Sequence, residues 1–138
     1  MKKGKTYDEL VVGEKATFTK RITDEDIRSF AEISGDKNPI HIDDEFAAKS
    51  FAGKRIAHGM LVSGLISAVL GTILPGVGTV YLSQELRFKA PVFPGDEITA
   101  EVTVEEKQPK GRVKLNTVCK NAEGKVVIEG TAIVLPPR

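Results

Sequence analysis

Hydrophobic and polar positions alternate in some stretches of this chain, recur at helical spacing in others, and in one stretch crowd together almost unrelieved. The alternation Ala16-Thr17-Phe18-Thr19 predicts a first strand over Lys15 to Arg21. Thr23 followed by Asp24, Glu25 and Asp26 marks a helix start, because the hydroxyl caps free N–H groups and acids complement the positive helix end. Ile27, Phe30, Ala31 and Ser34 then share one helical face, and Gly35 stops the helix. Pro39 disfavours helical geometry at Asn38, so Asp36 to Asp43 reads as a turn or an extended segment. Asp43 can cap a short helix through Phe46, Ala47 and Ala48, and Lys49 to Ala57 reads as an irregular loop.

From Gly59 to Leu74 apolar residues occur all round the helical wheel, relieved only by Gly, Ser and Thr, which predicts a helix buried on nearly every side. Pro75-Gly76-Val77-Gly78 ends it. Four strand-like segments follow: Thr79 to Lys89, Glu97 to Lys107, Gly111 to Lys120 and Val126 to Leu135. Turns at Pro94-Gly95-Asp96, Pro109-Lys110-Gly111 and Asn121-Ala122-Glu123-Gly124 separate them. One strand, helices, a buried helix and then an antiparallel meander predict an α+β fold, with a curled antiparallel sheet wrapped around the central helix.

Composition narrows this further. The 138 residues suffice for a core without metals or disulfides, and no repeat or linker breaks them, so residues 1–138 read as one domain. Twenty Lys and Arg against nineteen Asp and Glu leave a net charge of +1, which gives no support for a nucleic-acid or membrane-surface protein. Cys119 is the only cysteine, which excludes an intrachain disulfide and a cysteine-based zinc site; it reads as a small strand residue rather than a reactive thiol. The basic start, Met1-Lys2-Lys3-Gly4-Lys5, leads into no apolar stretch, and the apolar segment from Met60 to Leu74 is too short to span a bilayer. A cytoplasmic enzyme or binding protein is the expectation.

Asp36, Asn38, His41 and His58 stand close to apolar sequence and are the candidates for chemistry. A continuous helix would place Asp36 and His41 poorly, whereas the bend at Pro39 can fold them toward one another. A carboxylate beside a half-buried imidazole can orient the ring, set its tautomer and adjust both proton affinities. The alternative is a solvated turn in which Asp36 or Asn38 bonds nearby backbone. Asp36-x-Asn38 opens like a calcium loop, but Ile40 and His41 occupy the next ligand and glycine positions, so that reading is rejected. Gly76-Val77-Gly78 follows a helix instead of opening one, which rejects a dinucleotide fingerprint. No recognised ligand spacing joins His41 and His58 with Asp36 or Asp43, so no metal is expected.

His58-Gly59 stands directly before the apolar helix, whose start offers free N–H groups and partial positive charge. A thioester carbonyl placed there would be stabilised as its oxygen gains charge. Equally, Gly59 can serve only a tight entry turn, with His58 capping or exposed. Ser67 lies about two helical turns beyond Gly59 and can meet a buried group or simply bond the preceding turn.

Phe30-Ala31-Glu32-Ile33-Ser34-Gly35-Asp36-Lys37-Asn38-Pro39-Ile40-His41-Ile42-Asp43 closely resembles the hydratase-2 motif of MaoC-like (R)-specific enoyl-CoA hydratases. Ile56-Ala57-His58-Gly59-Met60-Leu61 and Leu86-Arg87-Phe88-Lys89-Ala90-Pro91-Val92-Phe93-Pro94-Gly95-Asp96 agree in order and spacing, and the resemblance runs from about Val11 to Val134. It implies a hot-dog fold assembled as a homodimer or dimer of dimers. It implies a catalytic Asp36/His41 pair, a Gly59 amide holding the thioester oxygen, Ser67 in the active site, and Asn38 supporting the acyl-CoA or the loop. The implied reaction is reversible hydration of a short- or medium-chain trans-2-enoyl-CoA to an (R)-3-hydroxyacyl-CoA, with CoA belonging to the substrate and no separate cofactor.

Arg87 and Lys89 alternate on one strand face, where they can meet CoA phosphates or remain in solvent and ion pairs. Val62, Leu65, Ile66, Val69 and Leu70 can line an acyl pocket or simply fill the core. Three rival readings stay open: a hot-dog acyl thioesterase, an acyl-carrier-protein dehydratase, and an acyl-CoA-binding module without turnover.

Overall fold

A computed structural model describes residues 1–138. Strand β1 (Lys15–Arg21) is followed by helices α1 (Asp24–Ser34), α2 (Pro39–Ile42), α3 (Asp44–Ala48) and α4 (Gly59–Thr72), then by β2 (Val80–Phe88), β3 (Glu97–Lys107), β4 (Val113–Lys120) and β5 (Val126–Leu135). The five strands form one antiparallel sheet in the order β1-β3-β4-β5-β2. Ile98, Ala100, Val102 and Val104 of β3 alternate with more exposed neighbours, as do Val113, Leu115, Thr117 and Cys119 of β4. Period-two patterning gives the sheet one apolar face, and α4 lies against it through Val62, Leu65, Ile66, Val69 and Leu70. This curled sheet around a helix is the α+β architecture expected from the pattern of elements. Cys119 is buried among these side chains, which pushes its thiol up to about 12 and suits a core residue.

Local chemistry explains the helices that lead to the site. The Thr23 side chain accepts from the Asp26 N–H while the Asp26 carboxylate accepts from the Thr23 N–H, closing a capping box at the start of α1. Gly35 ends α1 in the left-handed region at φ 80°, which a residue without a Cβ adopts freely.

Three expectations need correction. The segment after Asp36 contains a one-turn helix, α2, in place of a purely extended or turn path. Asn38, preceding proline, does stay non-helical (φ −53°, ψ 122°), and its side chain accepts from the Ile40 N–H, while Pro39 takes the first helical position, where its missing N–H costs nothing. Helix α4 stops at Thr72 rather than Leu74, since Leu74 precedes a proline and both Ile73 and Leu74 donate to the Val69 carbonyl. Strand β4 begins at Val113, because Pro109–Gly111 forms a 3₁₀ turn.

Nor is α4 enclosed all round within one chain. Met60 is 60% exposed, and Gly64 and Ser67 also lie open. The adjoining edge strand β2 presents Val80, Tyr81, Leu82 and Phe88 to solvent. No helix is long and apolar enough to cross a membrane.

Gly130 of β5 pairs with Leu86 of β2, and a Cβ there would overlap the Glu85 carbonyl oxygen. Gly130→Ala is therefore expected to destabilise the fold by about 1–3 kcal/mol, the usual cost of overpacking. Urea unfolding followed by circular dichroism measures it; an unchanged midpoint would refute this close approach of backbones.

Candidate active site

The sequence between α1 and α4 folds into two loops that face one another, and hydrogen bonds from the second fix the first. Ile56 donates its N–H to the Ile40 carbonyl at 3.3 Å and accepts from the His41 ring Nδ1 at 2.8 Å. Arg55 sends Nη1 to Asp24 at 2.5 Å and to the His41 carbonyl at 3.2 Å, and Nε to Asp44 at 2.7 Å. One guanidinium thus joins α1, α2 and α3. His58 places Nε2 2.9 Å from the Asp36 carbonyl oxygen, and its ring stacks on that of His41 with centroids 3.8 Å apart.

These ties gather Asp36, His41, His58 and Gly59 around one cavity of about 400 Å³, within the range of small-molecule sites. Its walls are mainly apolar, from Phe51, Ile56, Met60, Phe88, Pro91 and Val92. Donor atoms of Asp36, His41 and His58 all lie within 4.8 Å of one another. The Asp36 carboxylate accepts from the Asn38 N–H at 3.2 Å and bonds neither imidazole directly, an arrangement open to a bridging water.

Because a carbonyl oxygen only accepts, the Ile56 contact fixes the hydrogen of neutral His41 on Nδ1 and leaves a lone pair on Nε2. Burial holds the His41 imidazole below the usual proton affinity, and the nearby His58 ring acts in the same direction. The Ile56 carbonyl and the Asp36 charge oppose this without reversing it. Burial thus favours the neutral form of the His41 imidazole. Asp36, His41 and His58 each offer a ligand atom close enough to reach one cation, although each imidazole already commits one ring nitrogen to a main-chain carbonyl.

Gly59 borders the cavity as the first residue of α4, which no side chain caps. A Cβ here would overlap the Phe88 ring, so the glycine also has a packing reason. Asn38 lies outside the cavity lining and caps α2. Ser67 is also outside it: eight residues of helix carry it about 12 Å along the axis, onto the open face of α4, where it borders a separate groove with Tyr81, Leu82 and Gln84. Lys89 reaches the cavity rim and lies 3.7 Å from Glu129, while Arg87 is exposed beside Glu85. Of the aliphatic residues of α4, Val62 lines the cavity, and Leu65, Ile66, Val69 and Leu70 fill the core. Arg55 carries no motif or periodicity that would have singled it out from the sequence.

The MaoC like domain matches residues 9–126. The chain belongs to the MaoC-like family. This MaoC-like chain is 48% identical over 132 residues to the (R)-specific enoyl-CoA hydratase of Rhodospirillum rubrum, covering 95% of itself and 91% of that relative. It is 47% identical to the 3-hydroxybutyryl-CoA dehydratase of Methylorubrum extorquens, covering 96% and 84%. Among solved structures, the unliganded R-hydratase PhaJ1 from Pseudomonas aeruginosa superposes with a TM-score of 0.92 at 47% identity, covering 98% of this chain and 87% of that one. The fold is the hot-dog fold.

Two outcomes follow from the site electrostatics. His41 should titrate on the acid side of a free imidazole by NMR, and Asp36→Asn should move it further down by removing an opposing charge; titration above the free value would contradict the burial described here. Arg55→Met should cost about 1–2 kcal/mol at neutral pH, discounted because Asp24 and Asp44 are substantially exposed. Hydrogen bonds from Arg55 and Arg28 lower the Asp24 pKa, so that stabilisation is present above the ordinary carboxylate range and lost as pH falls through the lowered value. Wild type and variant should therefore converge in acid when unfolding is measured against pH.

Proposed function

We propose that this MaoC-like protein is an (R)-specific enoyl-CoA hydratase, adding water reversibly to a trans-2-enoyl-CoA to give an (R)-3-hydroxyacyl-CoA. The observation that carries the reading is the Asp36 carboxylate and the neutral His41 imidazole, within 4.8 Å of one another, on an apolar cavity bordered by the start of α4. The named activities of its close relatives support the same chemistry.

Conjugation makes the β-carbon of an enoyl thioester electrophilic, yet water alone is a weak nucleophile. A water held between Asp36 and His41 loses a proton to the pair as its oxygen bonds to the β-carbon. The double-bond electrons move toward the thioester oxygen, where the Gly59 N–H stabilises the developing charge. A proton then passes to the α-carbon, so the net change is addition of one water. Asp36 and His41 act jointly on that one water. Phe51, Met60 and Val92 bound the cavity, which suits a short or medium acyl chain. Lys89 at the rim is available to CoA phosphates.

A homodimer fits the same reading. Exposed Val80, Tyr81 and Leu82 on an unpaired sheet edge, with Met60 beside them, form a surface that a second copy would cover. We place the enzyme in cytoplasmic acyl-CoA metabolism.

Crotonyl-CoA should lose its conjugated absorbance on addition of the protein, without release of free thiol. Asp36→Asn and His41→Gln should each lower kcat by about 10²–10⁴-fold while remaining folded. Thiol release with the double bond intact would make the protein a thioesterase, binding without either signal would leave a non-catalytic module, and an (S)-product would overturn the stereochemical assignment. Sedimentation should give a dimer mass that Leu82→Lys reduces toward the monomer; a monomeric wild type would refute the assembly.

A further inference from the structure

His58 does more than enter α4. It is 2% exposed and packs against two rings, stacking on His41 and meeting Phe30 at 4.8 Å with a 58° tilt. Nε2 must carry the hydrogen, since its partner is the Asp36 carbonyl oxygen. The opposite nitrogen, Nδ1, is buried with no hydrogen-bond partner. Buried polar atoms are rarely left so, because desolvation is then uncompensated. A side chain needed only to fill this space could be leucine or phenylalanine, with no orphaned nitrogen.

What the imidazole adds is its other bond. Asp36 is exposed, and the remaining hydrogen bonds of residues 36–38 are local: Asp36 N–H to Ser34 Oγ, Lys37 N–H to the Gly35 carbonyl, Asn38 N–H to Asp36 Oδ1, and the contacts of Asn38 with α2. The bond from His58, twenty-two residues away in sequence, is the one that ties this stretch to the rest of the fold. The same ring backs His41.

We propose that His58 is a positioning residue for the Asp36/His41 pair: its Nε2–H anchors the main chain at Asp36 while its face supports the His41 ring, fixing the gap in which the water is held. This rests on the hydratase reading above. Small displacements of reacting groups are costly, about 10²-fold for 1 Å.

His58→Leu keeps the bulk and removes the donor, whereas His58→Gln restores an N–H of similar reach. His58→Leu is expected to lower kcat by about 10–100-fold with KM changed less than about threefold, and His58→Gln to recover most of that loss. Equal loss in both variants, or an effect confined to KM, overturns the proposal. With only two histidines in the chain, nitrogen NMR of the wild type supplies a readout independent of turnover and of variant folding. Hydrogen is expected on Nδ1 of His41 and on Nε2 of His58; a His58 Nε2 without hydrogen overturns the anchor outright. If Asp36→Asn and His41→Gln stay active, the hydratase mechanism and this proposal fall together. If those two are inactive but His58→Leu is unimpaired, only the positioning role falls.

Discussion

A polar loop keeps one shape only if its backbone groups find partners that water cannot replace. Here those partners come from Arg55 to His58, the run leading into α4. Arg55 holds the His41 carbonyl, Ile56 holds both the His41 ring and the Ile40 carbonyl, and His58 holds the Asp36 carbonyl. Because α4 is packed into the sheet through Val62, Ile66 and Val69, this run inherits the rigidity of the core. The site geometry is thus transmitted from apolar packing, through four residues, to a surface loop.

The same helix accounts for the solvent environment. Its buried face fixes the sheet, and its first residue opens on the cavity. Apolar walls from Phe51, Phe88 and Val92 lower the local dielectric, which strengthens any interaction between the helix start and a developing negative charge. They also disfavour a charged His41. A single property, burial, therefore acts on both the His41 imidazole and the start of α4.

Legibility from sequence followed the physical range of each interaction. The strand-like runs of β3 and β5, the helix cap at Thr23 and the stop at Gly35 depend on neighbours a few residues away, and all are readable. So is the nearness of Asp36 and His41, because a proline bend acts locally. Helix α2 is hidden in the sequence because the restriction before proline acts on Asn38 alone, whereas Pro39 itself favours a first helical turn. Arg55 was invisible because its partners Asp24 and Asp44 lie thirty-one and eleven residues away and on different helices. Ser67 marks a further limit: helical spacing sets its distance from Gly59, but the face it occupies depends on which side of α4 the sheet covers.

The open side of α4 and the bare edge of β2 follow from the same limit. Apolar residues all round a helix say that every face seeks cover, not that one chain supplies it. In this fold the sheet covers one face of α4, and the strand order leaves β2 at an edge beside the other. Met60 and Phe88 border both the cavity and the groove that contains Ser67. Anything that covered that groove would therefore press on two walls of the cavity through those side chains.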